Sequence, residues 1–198
     1  MAKKAIVLLA DGFEDVEAIT PIDYLRRAGI EVTTASISQD LTVTSRWGGI
    51  KLTAGTTLTA LLGGNSTGFS CDSWDAVVLP GGMPGAKNLA ASGETAALLK
   101  AMSAAGKLIC AICASPVVVL APLGLINGKK FTCYPGMEKD AASGKAPDGC
   151  QWSDESVVID GNIITSRAAG TAGKWAIAII GALLGEEAGK KIAETVLL

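Results

Sequence analysis

Cys113 occupies a point in the sequence where a thiol can serve as a nucleophile. The apolar run 107–112 precedes it and the helix-like run 115–120 follows it, a pattern typical of a strand that turns sharply into a helix. The residue at such a corner lies at the carboxyl edge of the sheet. We therefore expect the Cys113 thiol to be exposed and close to the positive end of the helix dipole, which favours the reactive thiolate.

No histidine occurs among the 198 residues. The chain therefore cannot build a cysteine–histidine pair or a histidine-ligated metal site from its own residues. Glu17 is the candidate replacement, because it falls early in the predicted first helix, near the edge where Cys113 emerges. A partly buried carboxyl stays protonated and donates a hydrogen bond to a thiolate. Alternatively, Glu14 and Glu17 only complement the amino end of the helix.

Gly81 and Gly82 follow the apolar run 75–79, which we predict to be another strand. They allow the backbone to approach a ligand closely, and the N–H groups of Gly82 and Ala114 together would form an oxyanion hole near the sulfur. The alternative is an ordinary turn between a strand and a helix.

The other cysteines suggest neither a redox pair nor a metal site. Cys110 and Cys113 have CxxC spacing, but Cys110 falls inside an apolar strand, so we interpret it as a buried structural residue. No two of the remaining three have the CxxC spacing that would hold zinc, and we predict no metal; these three are Cys71, Cys133 and Cys150.

Strand-like and helix-like segments alternate along most of the chain, which predicts an α/β fold with a mainly parallel sheet. In such a sheet the loops 11–17, 80–85 and 112–115 meet beyond the carboxyl ends of the strands. The capping-box spacing of residues 11–14 predicts that the first helix starts there. Predicted strands are 5–10, 30–37, 75–79, 107–112, 131–134, 156–160 and 162–166, the last two forming a hairpin. Predicted helices are 14–28, 86–105 with a break near 92–93, 115–120, 170–184 and 186–197.

One interval breaks this rhythm. Residues 42–53 have β-rich halves around Trp47, Gly48 and Gly49, which predicts an antiparallel hairpin with its turn at the glycines.

Composition limits the classes of partner and compartment. A chain of 198 residues with 49% hydrophobic residues fits a single domain, 1–198. Its net charge of −2 without a basic block argues against nucleic acid and anionic membranes as partners. No apolar run reaches the roughly 20 residues that span a bilayer, so we expect a soluble protein. Five cysteines without a secretory signal indicate free thiols and a cytoplasmic location.

Taken together, several motifs resemble the ThiJ/PfpI superfamily, and within it the branch of the parkinsonism-associated protein deglycase. The motifs cover nearly the whole chain in order: 10–17, 26–30, 78–82, 111–116, 165–167 and 170–171. The resemblance implies a flavodoxin-like or Rossmann-like sandwich and a homodimer formed through the first helix. By position, it makes Cys113 the reactive cysteine, Glu17 its hydrogen-bonding acid, and Gly82 with Ala114 the oxyanion-type amides.

The resemblance also implies a pocket wall, and here the chain departs from the family. The wall comprises Gly81, Tyr134, Arg167 and Ala169. Tyr134 stands where relatives often have a histidine near the cysteine, and a phenol donates hydrogen bonds but is a poor base at neutral pH. The segment 167–170 lacks a proline that many relatives carry. Peptidase activity, which relies on a cysteine–histidine pair, is therefore disfavoured.

Two functions remain open from the sequence. The first is a glyoxalase or deglycase that acts on a small aldehyde such as methylglyoxal, or on a glycated substrate, without metal or cofactor. In it the Cys113 thiolate adds to the aldehyde and Glu17 shuttles protons. The second is an oxidative-stress sensor or protective chaperone in which Cys113 is oxidised to sulfinic acid.

Overall fold

A seven-stranded, mostly parallel sheet forms the centre of the molecule in the computed structural model, which describes residues 2–47, 49–63, 71–139 and 149–198. The strands are β1 (Lys4–Leu9), β2 (Glu31–Ser36), β3 (Thr42–Thr44), β4 (Lys51–Thr53), β5 (Thr56–Thr57), β6 (Ala76–Leu79), β7 (Leu108–Ile112), β8 (Lys130–Phe131), β9 (Gln151–Trp152), β10 (Val157–Asp160) and β11 (Ile163–Ser166). The central sheet has the order β10-β11-β7-β6-β1-β2-β5. Only β10 is antiparallel to its neighbour.

Helices flank this sheet in two groups. They are α1 (Asp15–Arg27), α2 (Leu58–Leu61), α3 (Gly85–Ala91), α4 (Gly93–Ala104), α5 (Ala172–Leu184) and α6 (Glu186–Thr195). Helix α1 packs against α5 and α5 against α6, whereas α2 packs against α4. Because both faces of the sheet are covered, β6 is buried throughout its length and β7 along all but its first residue. The predicted α/β sandwich with a mainly parallel sheet is confirmed.

The strand order places the predicted loops side by side. After β1 the chain moves to β2 on one side and later returns as β6 on the other side, so the connections diverge between β1 and β6. Ligands of open α/β sheets bind beyond the carboxyl ends of strands at such a point. The segments that follow β1, β6 and β7 belong to three adjacent strands, and they carry Glu17 in the first turn of α1, Gly82 and Cys113.

Several predicted elements differ from the observed ones. The run 115–120 does not form an α-helix: Pro116–Leu120 is a single π-helical segment and Ala121–Leu123 is a 3₁₀ turn. The predicted strand 131–134 is reduced to β8, which pairs with β9 in a separate small sheet because β10 already occupies the edge beside β11. The break in 86–105 is confirmed, since α3 ends at Ala91 and α4 begins at Gly93.

The antiparallel hairpin of 42–53 is confirmed as β3 paired with β4. Its turn includes Gly48, which lies outside the described residues. In the part of the chain that the structure describes, no helix is both long and apolar enough to cross a membrane.

Candidate active site

Cys113 lies at a sharp corner between β7 and the π-helical segment. Its φ of 63° falls in the left-handed region, where few residues other than glycine are found. Backbone hydrogen bonds hold this conformation: Cys113 N–H donates to the carbonyl of Ser166 at 3.0 Å, and Tyr134 N–H donates to the carbonyl of Cys113 at 2.8 Å. A strained corner fixed from both sides gives the side chain one direction.

The expected exposure of Cys113 is wrong. The residue is only 9% exposed, because the loop after β6 packs directly against it. A Cβ built on Gly81 would lie 2.7 Å from the Cβ of Cys113 and 2.6 Å from Oε2 of Glu17. Only a glycine fits between these two side chains, so the absence of a side chain at position 81 allows them to meet.

The two first-turn acids of α1 have different surroundings. Glu14 is the N-cap of the helix, and its Oε2 accepts a hydrogen bond from Glu17 N–H at 2.8 Å. Asp11, which the capping-box spacing indicated, instead accepts from Thr44 N–H at 2.8 Å. Glu17 is 1% exposed and its Oε2 accepts from Gly81 N–H at 2.9 Å. Its carboxyl also hydrogen-bonds to the side chain of Cys113. Glu14, and not Glu17, therefore caps the amino end of the helix.

Burial raises the pKa of Glu17 to about 7, and the negative charge of Glu14 adds to the rise. The hydrogen bonds from Cys113 and Gly81 and the positive charge of Arg46 act in the opposite direction. A carboxyl with this pKa is present in both protonation states near neutral pH. It is thus able to give a proton and to take one back.

Burial also raises the pKa of the Cys113 thiol to about 12, and the negative charge of Glu17 is the second cause. The expected lowering of the Cys113 pKa is not found, because burial and the charge of Glu17 outweigh the groups that favour the thiolate. Two backbone amides, those of Gly82 and Ala114, donate hydrogen bonds to the sulfur and favour the thiolate. When Glu17 holds the proton its repulsion disappears, so the thiolate forms most readily beside a neutral Glu17.

The loop after β6 is held against the other two loops by several hydrogen bonds. Gly82 has φ +90°, and a Cβ there would lie 2.5 Å from the carbonyl oxygen of Gly12. The carbonyl of Gly81 accepts from Glu14 N–H at 3.1 Å. The hydroxyl of Ser115 donates to the carbonyl of Pro80 at 2.6 Å, a fully buried contact that the sequence analysis missed. These contacts fix the positions of the amides around the sulfur.

The β3–β4 hairpin adds a charged residue that the sequence analysis also missed. Gly12 N–H donates to the carbonyl of Thr44, and Arg46 N–H donates to the carbonyl of Phe13, both at 2.8 Å. The guanidinium of Arg46 lies 4.3 Å from the centre of the Trp47 ring, and its charge acts on Glu17. The sequence pattern predicted the hairpin but did not indicate that it packs against the loop after β1.

The predicted wall residues surround the corner more loosely. Tyr134 contacts Cys113 through the backbone, while its side chain is 49% exposed. Arg167 directly follows β11, the neighbour of β7, and its Nη1 donates to the carbonyl of Asp154 at 2.8 Å. Ala169 begins a 3₁₀ turn, Ala169–Thr171. The structure thus brings together Glu17, Gly81, Gly82, Cys113 and Ala114, whereas the side chain of Arg167 is directed to Asp154.

The other four cysteines are not among the groups whose hydrogen bonds or charges act on Glu17 and Cys113. Cys110 is a fully buried residue of β7, as interpreted from the sequence, and burial raises its pKa. All five cysteines lie in the described part of the chain, and none of them forms a disulfide bond there. Within the described ranges, no group of three or more histidine, cysteine, aspartate or glutamate residues is arranged to hold a metal ion.

Comparison with known proteins gives consistent matches over the whole chain. The model of the DJ-1/PfpI family matches residues 3–182. Protein dj-1beta of Drosophila melanogaster is 37% identical over 198 residues, which cover 100% of this chain and 98% of that protein. A protein of Pyrococcus abyssi named as a deglycase is 32% identical over 172 residues, 87% of this chain and 94% of that one.

Solved structures agree with these matches. An oxidized DJ-1 of Toxoplasma gondii superposes with a TM-score of 0.87 and 35% sequence identity, covering 99% of this chain and 98% of that chain. The similarity therefore extends over both the sheet and the loops that carry the site.

Proposed function

This chain belongs to the DJ-1/PfpI family, and from that premise we propose that it is a cysteine-dependent enzyme of the glyoxalase or deglycase type. Its substrates would be reactive aldehydes such as methylglyoxal, or their adducts on other molecules. The observation that carries the proposal is the buried pair of Cys113 and Glu17, hydrogen-bonded to each other and surrounded by backbone N–H donors. The deglycase name of the Pyrococcus abyssi relative supports the same class of reaction.

The first step is the addition of the Cys113 thiolate to the aldehyde carbon. A C–S bond forms and the carbonyl π electrons move to oxygen, which takes the proton of Glu17 and gives a hemithioacetal. The N–H groups of Gly82 and Ala114, which donate to the sulfur in the resting site, lie next to the oxygen that becomes charged. Glu17 is then an ionised base.

The second step moves a proton along the bound methylglyoxal. The Glu17 carboxylate removes the proton from the carbon that bears the sulfur, and the electron pair shifts onto the neighbouring carbonyl oxygen to form an enediolate. The proton then returns from Glu17 to the neighbouring carbon while the hydroxyl proton passes to the neighbouring oxygen, leaving a lactoyl thioester on Cys113. Water hydrolyses the thioester, which releases lactate and restores the thiol. Every group required belongs to this chain, to the substrate or to water.

The experiment that tests this proposal compares the parent with Glu17→Gln in the conversion of methylglyoxal to lactate. Glutamine keeps the size and a hydrogen-bonding oxygen but cannot carry the proton. We expect kcat to fall by about 10²–10⁴-fold, the usual contribution of general acid–base catalysis. Unchanged turnover in a folded variant would remove Glu17 from the mechanism.

A second candidate function is redox sensing or protection. One observation favours it: the two amides and the Glu17 carboxyl that surround the sulfur are donors suited to hold oxygen atoms added to it. Peroxide would oxidise the thiolate to sulfenic acid with release of water, and a second equivalent would give sulfinic acid. The similar structure from Toxoplasma gondii is described as oxidized, which supports this candidate.

We further propose that two copies associate through α1. Val16 and Ile19 are one helical turn apart on this helix and are 45% and 40% exposed, although both are large apolar residues. Trp47 and Ile50 of the neighbouring hairpin are also exposed. A surface of this kind favours an interface between copies. The cytoplasm is the proposed location, because a reducing compartment keeps cysteines in the thiol form.

A further inference from the structure

Ser115 makes the hydrogen bond that joins the corner after β7 to the loop after β6. Its hydroxyl donates to the carbonyl of Pro80 at 2.6 Å, and the residue is 0% exposed. Ser115 directly follows Ala114, whose amide contacts the sulfur, and Pro80 directly precedes Gly81, whose amide contacts Glu17. The bond therefore spans the two loops that supply the donors of the site.

The Pro80 carbonyl and the Gly81 N–H belong to the same peptide group. Peptide groups are planar, so the direction of the C=O fixes the direction of the N–H. In this peptide the C=O accepts from Ser115 at 2.6 Å and the N–H donates to Oε2 of Glu17 at 2.9 Å. Both ends of the peptide dipole are thus engaged. Hydrogen bonds connected in this way polarise and strengthen one another.

We propose that Ser115 is a positioning residue that orients and polarises the Pro80–Gly81 peptide, and thereby sets how strongly Glu17 holds its proton. The chain of contacts runs from the Ser115 hydroxyl through this peptide to the Glu17 carboxyl and on to the Cys113 side chain. In this series of contacts Ser115 itself contacts neither the sulfur nor the carboxyl, so it acts on Glu17 through the Pro80–Gly81 peptide. The inference rests on the proposed function, in which Glu17 transfers protons.

Three other groups affect the protonation of Glu17, and none of them acts through the Pro80–Gly81 peptide. Glu14 acts on it from the start of α1, Arg46 from the hairpin, and Cys113 from the corner after β7. The first two act by charge through space, and Cys113 acts by a direct hydrogen bond. Ser115 is neutral, so replacing it changes no charge at the site and affects Glu17 only through the peptide.

A purely structural role makes a different prediction. The Pro80 carbonyl is buried at this contact, and leaving it unpaired destabilises the fold whatever happens at Glu17. In that case Ser115→Ala would lower the melting temperature and leave the protonation of Glu17 unchanged. The two roles are separated by measuring a pH profile and a melting temperature on the same variants.

The test uses the rate at which iodoacetamide alkylates Cys113 between pH 5 and pH 9, with the modified residue identified by peptide mass spectrometry. The parent should show an inflection near the Glu17 pKa of about 7, and Glu17→Gln should remove it. In Ser115→Ala the weaker Gly81 donor stabilises the Glu17 carboxylate less. We expect the inflection to move upward by about half a pH unit.

Two further variants make the comparison decisive. Ser115→Thr keeps a hydroxyl and should return the inflection towards the parent value. Ser92→Ala removes a serine hydroxyl that caps α4, away from the site, and should lower stability without moving the inflection. If Ser115→Ala does not fold, Ser115→Gly takes its place, because Ser115 has a helical φ of −63° that glycine also adopts.

An inflection that stays at the parent value in a folded Ser115→Ala or Ser115→Gly would overturn the proposal. So would a parent profile with no inflection that depends on Glu17. Neither result depends on turnover, because alkylation is measured without methylglyoxal. Failure of the proposed enzymatic function would appear separately, as an absence of lactate.

Discussion

The carboxyl of Glu17 and the side chain of Cys113 share a hydrogen bond beside Gly81, where no side chain would fit. Both residues are buried, with Glu17 in the first turn of α1 1% exposed and Cys113 after β7 9% exposed. Burial makes a negative charge costly on either group, and repulsion makes charges on both costlier still. The pair therefore carries one proton over a wide pH range, between the pKa of Glu17 at about 7 and that of Cys113 at about 12.

The narrow space at Gly81 gives the first prediction. Gly81→Ala would place a Cβ 2.6 Å from Oε2 of Glu17 and 2.7 Å from the Cβ of Cys113, so the two groups must separate. We expect lactate formation from methylglyoxal to fall at least about tenfold, equivalent to about 1.4 kcal/mol of transition-state stabilisation. Gly93→Ala is the matched control, because nothing lies within 4 Å of its Cβ position in α4. Equal losses in both variants would contradict the prediction.

The raised pKa of Glu17 predicts how stability depends on pH. The folded protein binds the Glu17 proton more tightly than the unfolded chain, with a pKa of about 7 against 4.5. The parent should therefore lose stability relative to Glu17→Gln as the pH rises from 4.5 to about 7, and the difference should be constant above that. Over this range the difference in the free energy of unfolding between the two proteins should change by on the order of 3 kcal/mol. Urea unfolding of both proteins from pH 5 to pH 8.5 measures it, and a gap that does not change with pH would refute it.

The core of the site could be predicted from the sequence, because the order of a parallel sheet brings together the carboxyl ends of adjacent strands. Glu17, Gly81 and Cys113 each follow a strongly apolar strand, and those strands are neighbours in the sheet. The strands β1, β6 and β7 are short and buried, so their pattern is clear. Spacing alone did not show which of the two acids, Glu14 or Glu17, points inward.

Other features depend on tertiary contacts that leave no local pattern. The docking of Arg46 depends on pairing between the hairpin and the loop after β1, and the role of Ser115 depends on a hydrogen bond to a distant carbonyl. The helix expected after Cys113 is instead a short π-helical segment, and Pro122 just beyond it has no N–H to continue an α-helical ladder. The burial of Cys113 follows from the packing of Gly81, and it raises a pKa that we expected to be lowered.

Oxidation should be selective for Cys113. The N–H groups of Gly82 and Ala114 donate hydrogen bonds to its sulfur and stabilise negative charge there, whereas Cys110 is fully buried in a strand. With limiting hydrogen peroxide, peptide mass spectrometry should find added oxygen on Cys113 before the other four cysteines. Prior modification of the partly exposed Cys150, or even oxidation of all five, would count against the redox candidate.

Association through α1 should be sensitive to charge on its exposed face. Ile19 is 40% exposed on the monomer, so Ile19→Asp costs little in the isolated chain but buries an unpaired carboxylate in an interface. We expect light scattering at several concentrations to give the mass of two chains for the parent and of one for the variant. Lys100→Asp, an exposed position on α4, serves as the control and should leave the mass unchanged. A monomeric parent would rule out the interface.

The conversion of methylglyoxal to lactate by purified protein, with Cys113→Ala prepared in parallel, decides whether this chain is an enzyme that uses the Cys113 thiol. Alanine removes the nucleophile but leaves Glu17 and the amide of Gly82 in the chain. We expect the parent to form lactate and Cys113→Ala to form it no faster than buffer alone. Equal rates for the parent and a folded Cys113→Ala variant would contradict an enzyme that depends on this thiol.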